Sequence, residues 1–479
     1  EFAVNGELPA EGVLDRVITQ YGDDSVQQLM PISLVVENAS NILTKKLEWG
    51  RLLAYLEQST RYIYYDKRDE HGRYKYFVPE LPSAIQEIYR EALDSIFDAY
   101  SKIVRKITEH LRVKIPEPSE KSERTAWIGA TRAQACDAAR LLLPVATTST
   151  VGIVGSAQGI ESLILHLASD PLAECRKTAN RILGETRKVA ASFLKRADMP
   201  ERGGALIAYA LDCRETMRSY ARSADAVHAS TILKPFISES EREKAVQLLD
   251  YWPKDELELV SEMLFAESNL SMPQLKAVCA SMDREKKIKI FFAYMGNRLN
   301  RRHKPGRALE KAHYEWQIVG DYGTFRDLQR HRMVDMWEWQ YLTPSYGYSI
   351  PELIVETGFE NAFRECFRRS EELYGYLHGH GFAEEAQYAT LLGHRMRYRF
   401  MINAREAFHI HELRTGPQGH PGYRKLVQMM HEELSTVHPL IGQAMKFVNM
   451  GEDPELTRLA AERATEKKLE LLEKKDTSS

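Results

Sequence analysis

The sequence predicts an α+β protein in which one arrangement of elements is used twice. Residues 32–37 and 314–319 are short β-branched or aromatic stretches, and they are the strand candidates of the two halves. Between residues 83 and 111 apolar residues recur at i, i+3 and i+4, which predicts a long amphipathic helix. Each half follows the order strand, short helix, aromatic extended stretch, long helix and paired helices. A repeat of roughly 240 residues indicates a duplicated and fused unit.

The other predicted elements of the first half surround this long helix. A helix at 9–20 ends in a turn at 21–25, where Gly, Asp and Ser interrupt the apolar pattern. The remaining assignments are a helix at 42–53, an aromatic extended stretch at 55–65, a loop at 116–122, helices at 130–142, 156–168 and 171–197, and a Thr/Ser-rich link at 147–150.

The second half begins after residues 225–240, where Pro235 breaks the helical pattern. Its predicted elements are helices at 239–249, 254–267 and 272–280, a basic turn at 300–307, a short helix ending at Arg330-His331-Arg332, an aromatic extended stretch at 337–348, and helices at 358–379, 383–395, 401–413 and 423–448. We therefore divide the chain into a first copy at 1–232, a second copy at 233–450 and a charged helical tail at 451–479.

The composition is that of a soluble globular protein with little net charge. Of the 479 residues, 43% are hydrophobic and 28% are charged, with a formal net charge of −3. This balance excludes a nucleic-acid binder that depends on bulk charge. No apolar run reaches about 18 residues, so no membrane-spanning helix is expected. The numbering begins at Glu1 without a visible signal peptide, which leaves room for a natural start upstream.

The cysteine and histidine patterns predict no metal site and a reducing, cytoplasmic setting. The five cysteines are far apart and odd in number, so neither a disulfide framework nor a cysteine-based metal site fits them. The closely spaced histidines, His378 with His380 and His409 with His411, lack cysteines or carboxylates at a matching spacing.

The basic triplet Arg330-His331-Arg332 is the candidate ligand-binding motif of the second half. Arg326 lies four residues before Arg330 and shares its helix face. Close cations repel one another unless an anion lies among them. Acidic and aromatic residues follow at 335–339, which favours a flat, phosphate-bearing ligand such as a flavin or a nucleotide. The alternative is a solvated basic face.

Parts of a longer motif occur in each half, and each half lacks what the other keeps. Seven residues after the second-half triplet comes Gln340, whereas the first half has Glu57-Gln58-Ser59-Thr60-Arg61-Tyr62 after Trp49-Gly50-Arg51 at the place of the triplet. The first half also has Ala139-Arg140 before Leu143-Pro144, and the second half has Asn403-Ala404-Arg405 and Leu413-Arg414.

In order and spacing these segments resemble the flavin-dependent thymidylate synthase family, twice in tandem. The family signature is Arg-His-Arg, seven residues and Ser, followed by Ala-Arg-x-x-Leu-Pro, Asn-x-Arg and Leu-Arg. The chain departs from it at several positions: Asp23 stands for a His, Gln340 and Leu342 for Ser and Arg, Ser156 and Gln158 for Asn and Arg, and Gln387 and Leu391 for Arg and Pro.

The resemblance implies a fold, a reaction and an assembly. Each copy is expected to form a small antiparallel sheet flanked by long helices. Family members are homotetramers with active sites between subunits, so a homodimer of this chain would form a pseudo-tetramer. The family reduces FAD with NADPH and transfers a one-carbon unit from methylenetetrahydrofolate to C5 of dUMP.

The resemblance also assigns roles to residues of both copies. The expected FAD contacts are Arg330, His331, Arg332, Asn403 and Arg405, with Glu310 and His409, and the expected dUMP contacts are Glu57, Gln58, Ser59, Arg61 and Arg140. Arg140 and Arg414 are the expected catalytic groups, which would polarise the uracil ring.

Two hypotheses follow for the whole protein. In the first, the complementary losses leave one composite site, with nucleotide groups from the first copy and flavin groups from the second. In the second, the protein is a non-catalytic flavin- or nucleotide-binding paralogue or a structural partner. The first hypothesis predicts that the basic triplet and the Ser59–Arg61 segment converge on one cleft.

Overall fold

The two halves of the chain each contain one antiparallel sheet. The computed structural model describes residues 25–231, 245–454, 456 and 458–476. Its strands are β1 (Pro31–Ser40), β2 (Leu53–Glu57), β3 (Thr148–Ser156), β4 (Val246–Trp252), β5 (His313–Asp321), β6 (Met336–Trp339) and β7 (Arg395–Asn403). The first sheet has the order β1-β3-β2 and the second has the order β4-β5-β7-β6, and all pairings are antiparallel.

Helices flank both sheets. They are α1 (Asn41–Leu47), α2 (Ser83–Lys114), α3 (Lys121–Ala139), α4 (Ala157–Ala168), α5 (Ala173–Ala190), α6 (Ala205–Thr231), α7 (Val260–Phe265), α8 (Met272–Ala280), α9 (Arg284–Met295), α10 (Tyr322–Leu328), α11 (Glu352–Glu356), α12 (Glu360–Gly379), α13 (Ala383–Ala386), α14 (Ala404–Arg414), α15 (Pro421–Val437), α16 (Pro439–Ala444) and α17 (Leu459–Asp476). The predicted α+β fold with two small antiparallel sheets and long flanking helices is therefore confirmed.

Apolar periodicity explains the elements that were predicted correctly. Along α2, Tyr89, Leu93 and Ile96 lie on one buried stripe with the spacing of a helix face. Along β5, Tyr314 and Trp316 alternate with less buried neighbours, as expected for a strand with one face in the core. Residues 272–280 form α8 as predicted.

One central strand in each sheet, β3 and β7, was predicted wrongly. The link at 147–150 belongs mostly to β3, and the predicted helices at 383–395 and 401–413 are interrupted by β7, so α13 ends at 386 and α14 starts at 404. In β7, exposed or half-buried arginines alternate with buried Met396, Tyr398 and Phe400. Arginine is a good helix former, but the two-residue alternation decides in favour of a strand.

Two further predicted helices are wrong in part, and several predictions fall outside the described residues. The helix at 42–53 ends at 47 because β2 starts at 53, and residues 246–249 of the helix at 239–249 belong to β4. The helix at 9–20, Asp23 and the boundary between 232 and 233 lie outside the described residues. None of the described helices is both long and apolar enough to cross a membrane.

Backbone hydrogen bonds join the two copies where their equivalent segments cross. The Leu392 amide donates to the Leu143 carbonyl over 2.8 Å, and the Gly393 amide donates to the Leu141 carbonyl over 2.9 Å. A Cβ at Gly393 would lie 2.9 Å from that same carbonyl oxygen, so the close approach requires glycine. One hydrophobic core continues from Ile32 to Met445 through both copies.

Candidate functional site

The motifs kept by the two copies meet inside one chain at Glu57. Arg326 Nη2 donates to Glu57 Oε1 over 2.6 Å, and Arg330 Nη2 donates to Glu57 Oε2 over 2.9 Å. Lys45 Nζ donates to the same Oε2 over 3.0 Å. Burial raises the pKa of the Glu57 carboxyl, but Arg326, Lys45 and Arg330 outweigh it and hold this pKa well below its usual range. The end of β2 and the short helix α10 therefore converge on one ionic centre.

Arg61 is held by a carboxylate of its own copy. Its Nε and Nη2 donate to the two oxygens of Asp137, each over 2.6 Å, and both side chains are buried. Asp137 lies on α3, and Ser59 Oγ accepts from the Arg61 amide over 3.2 Å. This bidentate pair fixes the guanidinium plane. Neighbouring Gln58 is exposed.

Arg140 reaches across to the second copy. Its Nη2 donates to Asp327 Oδ2 over 3.3 Å, and the Arg140 side chain is only 3% exposed. Within the described residues, neither Arg140 Nε nor Asp327 Oδ1 has a hydrogen-bond partner. Asp327 lies on α10, one position after Arg326.

His331 lies between Glu406 and Arg414. Arg414 Nε donates to His331 Nε2 over 2.8 Å, and His331 Nδ1 is 3.0 Å from Glu406 Oε1. Since arginine only donates, Nε2 is the acceptor and the ring proton is on Nδ1, facing Glu406. Burial, together with Arg414 and Lys304, holds the pKa of His331 well below its usual value. The imidazole is therefore neutral with a fixed tautomer.

His331, Glu406 and His409 are close enough to suggest a metal site, but the hydrogen bonds oppose one. Their ligand atoms lie within 4.8 Å of one another. A metal on Nδ1 of His331 would require the proton to move to Nε2, where Arg414 already donates.

Asn403, Arg405 and Glu310 make contacts that shape the second copy. Asn403 Oδ1 accepts from the Glu406 amide over 2.9 Å and caps the start of α14. Arg405 Nη1 donates to Glu310 Oε1 over 3.1 Å, and its Nε donates to the Pro305 carbonyl over 3.1 Å. These bonds hold the segment before β5 against α14.

A cavity of about 490 Å³ lies between the copies beside His331. Its walls are residues 48–51 of the first copy and residues 329, 331, 332 and 334–338 of the second. Exposed Arg301 and Lys304 act electrostatically on neighbouring His409, and Arg332 donates to the Leu53 carbonyl. Among the described residues these three cations have no carboxylate within ion-pair distance. A diphosphate-bearing cofactor would fit such a donor set.

In the reciprocal arrangement the first copy would supply the basic triplet and the second copy would supply the nucleotide-binding segment. This arrangement is closed by an aromatic stack. Trp49 stands where the triplet would begin, and its ring lies 4.1 Å from that of His166 with an interplanar angle of 2°. Lys46 pairs with Asp170 over 3.0 Å. Gln340 accepts from Tyr346, and Gln387 accepts from the Leu342 amide. The reciprocal arrangement therefore has glutamine amides and stacked rings at the positions where the arrangement around Glu57 has arginines.

Sequence reasoning missed the carboxylates that organise the cluster. Asp137 precedes Arg140 by three residues, and Asp327 precedes Arg330 by the same spacing. An Asp three residues before a motif arginine, found once in each copy although at different motifs, was the available signal. The contact of His331 with Glu406, 75 residues apart, had no local signal.

Comparisons with known proteins agree with the duplicated architecture. Residues 5–191 and 247–440 match the family model described as thymidylate synthase complementing protein. A UPF0159 protein of Chlamydia muridarum is 32% identical over 451 residues, covering 93% of this chain and 82% of the relative. A UPF0159 protein of Thermoplasma acidophilum is 29% identical over 496 residues, covering 96% and 93%.

A flavin-dependent thymidylate synthase of Clostridium tetani is 24% identical over 184 residues, which are 38% of this chain and 68% of the relative. Among solved structures, a UMP/dUMP methylase from Streptomyces cacaoi bound with 5-Br dUMP has 16% identity and a TM-score of 0.34, covering 42% of this chain and 93% of that one. The two matched regions confirm the tandem resemblance, and the chain belongs to the thymidylate synthase complementing protein family, with two copies of the family domain in one polypeptide.

Proposed function

We propose that the protein is an FAD-dependent, thymidylate synthase-like enzyme that methylates dUMP with methylenetetrahydrofolate and NADPH. The composite site takes its nucleotide-binding groups from the first copy and its flavin-binding groups from the second. Family membership supports the reaction class. A homodimer with a pseudo-tetrameric arrangement belongs to the same proposal.

The observation that carries this proposal is the charge of the cluster around Glu57 and Asp327, here named the arginine cluster. Its members are the cations Lys45, Arg61, Arg140, Arg326, Arg330 and Arg414 and the carboxylates Glu48, Glu57, Asp137 and Asp327. Six cations face four carboxylates, and Glu406 is a fifth carboxylate on the other side of His331 from Arg414. Buried charge without compensation is costly, and a phosphate monoester of about −2 would neutralise the excess.

The accessible cations are those best placed to receive this phosphate. The Arg330 side chain is 36% exposed and Arg414 is half-buried, whereas Arg61 and Arg326 are buried against carboxylates. Arg330 and Arg414 would bind the phosphate, and Asp137 would hold Arg61 in a positioning role. Arg140, whose Nε has no hydrogen-bond partner but is buried, would polarise the ring through its positive charge.

FAD would lie in and beside the 490 Å³ cavity. Arg301, Lys304 and Arg332 would bind its diphosphate, and His331, whose two nitrogens are held by Arg414 and Glu406, would form part of the cavity wall. The bound flavin supplies the reducing equivalents that NADPH provides. Residues on both sides of the cavity exclude water from the reacting atoms.

The internal pairing of the arginines favours a second candidate, a non-catalytic flavin- or nucleotide-binding paralogue. Arg61 already has Asp137, Arg326 already has Glu57 and Arg140 already has Asp327. These three buried arginines are each neutralised by a carboxylate of the chain and need no substrate for that.

Measurements on the purified full chain separate the two candidates. The enzyme is expected to bind FAD and to oxidise NADPH only when dUMP and methylenetetrahydrofolate are both present. The double variant Arg330→Gln/Arg414→Gln should lose dUMP-dependent turnover, while the matched surface variant Arg364→Gln, on α12, should keep it. FAD binding without turnover in the unaltered protein would identify the paralogue, and no uptake of FAD would exclude the FAD-dependent enzyme and leave only the nucleotide-binding form of the paralogue.

A further inference from the structure

Asp327 differs from the other two carboxylates that pair with arginines in the arginine cluster. Glu57 uses both oxygens, and Asp137 also uses both. Asp327 uses only Oδ2, on Arg140, and no described residue bonds to its Oδ1. Its side chain is 10% exposed, whereas that of Glu57 is 0% exposed. Oδ1 is thus an acceptor that a bound molecule could reach.

The chemistry of this oxygen restricts what can lie next to it. Burial raises the pKa of the Asp327 carboxyl, but Arg140, Arg330, Arg61 and Arg414 outweigh burial and hold this pKa far below its usual range. A carboxylate without a proton only accepts hydrogen bonds. A phosphate or carbonyl oxygen at Oδ1 would be repelled, whereas an N–H or O–H group would be bound.

We propose that Asp327 is a specificity-determining residue whose Oδ1 accepts a hydrogen bond from an N–H or O–H donor of the bound nucleotide. This inference rests on the proposed nucleotide site. Two groups of dUMP have the required chemistry, the ring N3–H of uracil and the sugar 3′-hydroxyl. The phosphate then lies on the accessible guanidinium groups of Arg330 and Arg414.

The test measures how strongly the carboxylate is coupled to each donor. The FAD-supplemented full chain is titrated calorimetrically with dUMP, with N3-methyl-dUMP, which lacks the ring donor, and with 2′,3′-dideoxy-UMP, which lacks the sugar donor. The same ligands are titrated into Asp327→Asn, in which the amide oxygen can stay with Arg140 while the NH2 group replaces Oδ1. Asp198→Asn, which alters a surface Arg–Asp pair with Arg187, is the matched control.

The expected result is that one analogue binds the unaltered protein about 10- to 100-fold more weakly than dUMP. That penalty should disappear in Asp327→Asn and persist in Asp198→Asn, and the affected analogue identifies the donor. Thermal unfolding of each variant shows whether it is folded.

Other results distinguish a failure of the role of Asp327 from a failure of the nucleotide site. Equal affinities for all three ligands, or a penalty that persists in Asp327→Asn, would overturn the role of Asp327 while leaving the nucleotide site intact. If no ligand binds to the unaltered protein, the nucleotide site and the role of Asp327 both fail.

Discussion

At the scale of single residues, Glu57 is the carboxylate on which three cations depend. Replacing it in Glu57→Gln leaves Arg326 and Arg330 with a neutral acceptor, while Lys45 keeps only Glu48. Breaking a buried ion pair from one side costs about 3 to 5 kcal/mol of unfolding free energy. Urea unfolding is expected to show a loss of this size.

The matched control for this prediction is Glu37→Gln on β1, because Glu37 is exposed. Its unfolding free energy should change by less than about 0.5 kcal/mol. If Glu57→Gln were as harmless as this control, the three cations would not depend on the carboxylate.

Buried histidines predict how stability varies with pH. Burial is the main cause that lowers the pKa of His411 to about 3 and the pKa of His409 to about 4. Both values lie below the unfolded reference of about 6.5, so each group stabilises the fold above that pH. This contribution is lost as the pH falls from about 6.5 towards the folded pKa. We expect the free energy of unfolding to decrease across this window.

The variant His411→Gln isolates one of these groups. Buried Glu174 and Glu256 have raised pKa values, mainly through burial, and act in the opposite sense. A single-site comparison removes their contribution. Near pH 5 the unfolding free energy should depend less steeply on pH in His411→Gln, by the amount that corresponds to about one bound proton. This pH dependence should stay unchanged in His71→Gln, which alters an exposed histidine.

At the scale of elements, the helix α10 positions both a cation and a carboxylate of the site. This helix has seven residues, all buried, and carries Arg326 and Asp327. Its N-cap residue is Asp321. The Oδ1 atom of Asp321 accepts from the Thr324 amide over 2.8 Å, and its Oδ2 atom accepts from the Thr324 hydroxyl over 2.7 Å. So short a helix is marginal by itself and depends on its cap and its packing.

Removing this cap should therefore affect stability and binding together. Asp321→Ala is expected to cost about 1 to 2 kcal/mol and to weaken dUMP binding, because α10 carries Asp327. Asp283→Ala removes the equivalent cap of α9, where Asp283 accepts from the Lys286 amide over 2.7 Å. That variant should lose similar stability in urea but keep its dUMP affinity. Equal loss of affinity in both would mean that α10 has no special role.

The element scale also shows what the sequence could predict. The strands β1 and β5 followed from their β-branched or aromatic composition, and the helix α2 followed from apolar periodicity because it buries one face. The strand β7 did not, because its alternating arginines favour helix by intrinsic propensity while their pairing partners lie far away in sequence. For the same reason the family motifs led to Glu57 and Arg330, but not to Asp137 as the partner of Arg61.

At the scale of the whole molecule, duplication has made the two arrangements unequal. One combination of copies gathers six cations, and the other holds a Trp49–His166 stack and glutamines. Since the copies share one core, neither can rearrange alone to recover the lost groups. The chain therefore has two non-equivalent arrangements of the family motifs.

This asymmetry predicts one ligand site per chain if the proposed function holds. Titration with FAD and dUMP should saturate at about one molecule of each per chain, since the stacked Trp49 and His166 fill the reciprocal position. Arg330→Gln/Arg414→Gln should abolish dUMP saturation. Lys46→Gln, which removes a cation of the reciprocal face that lies outside the cavity walls, should leave it at one. A stoichiometry of two would show that the stack opens and that both faces bind, because no other described arrangement repeats the family motif positions.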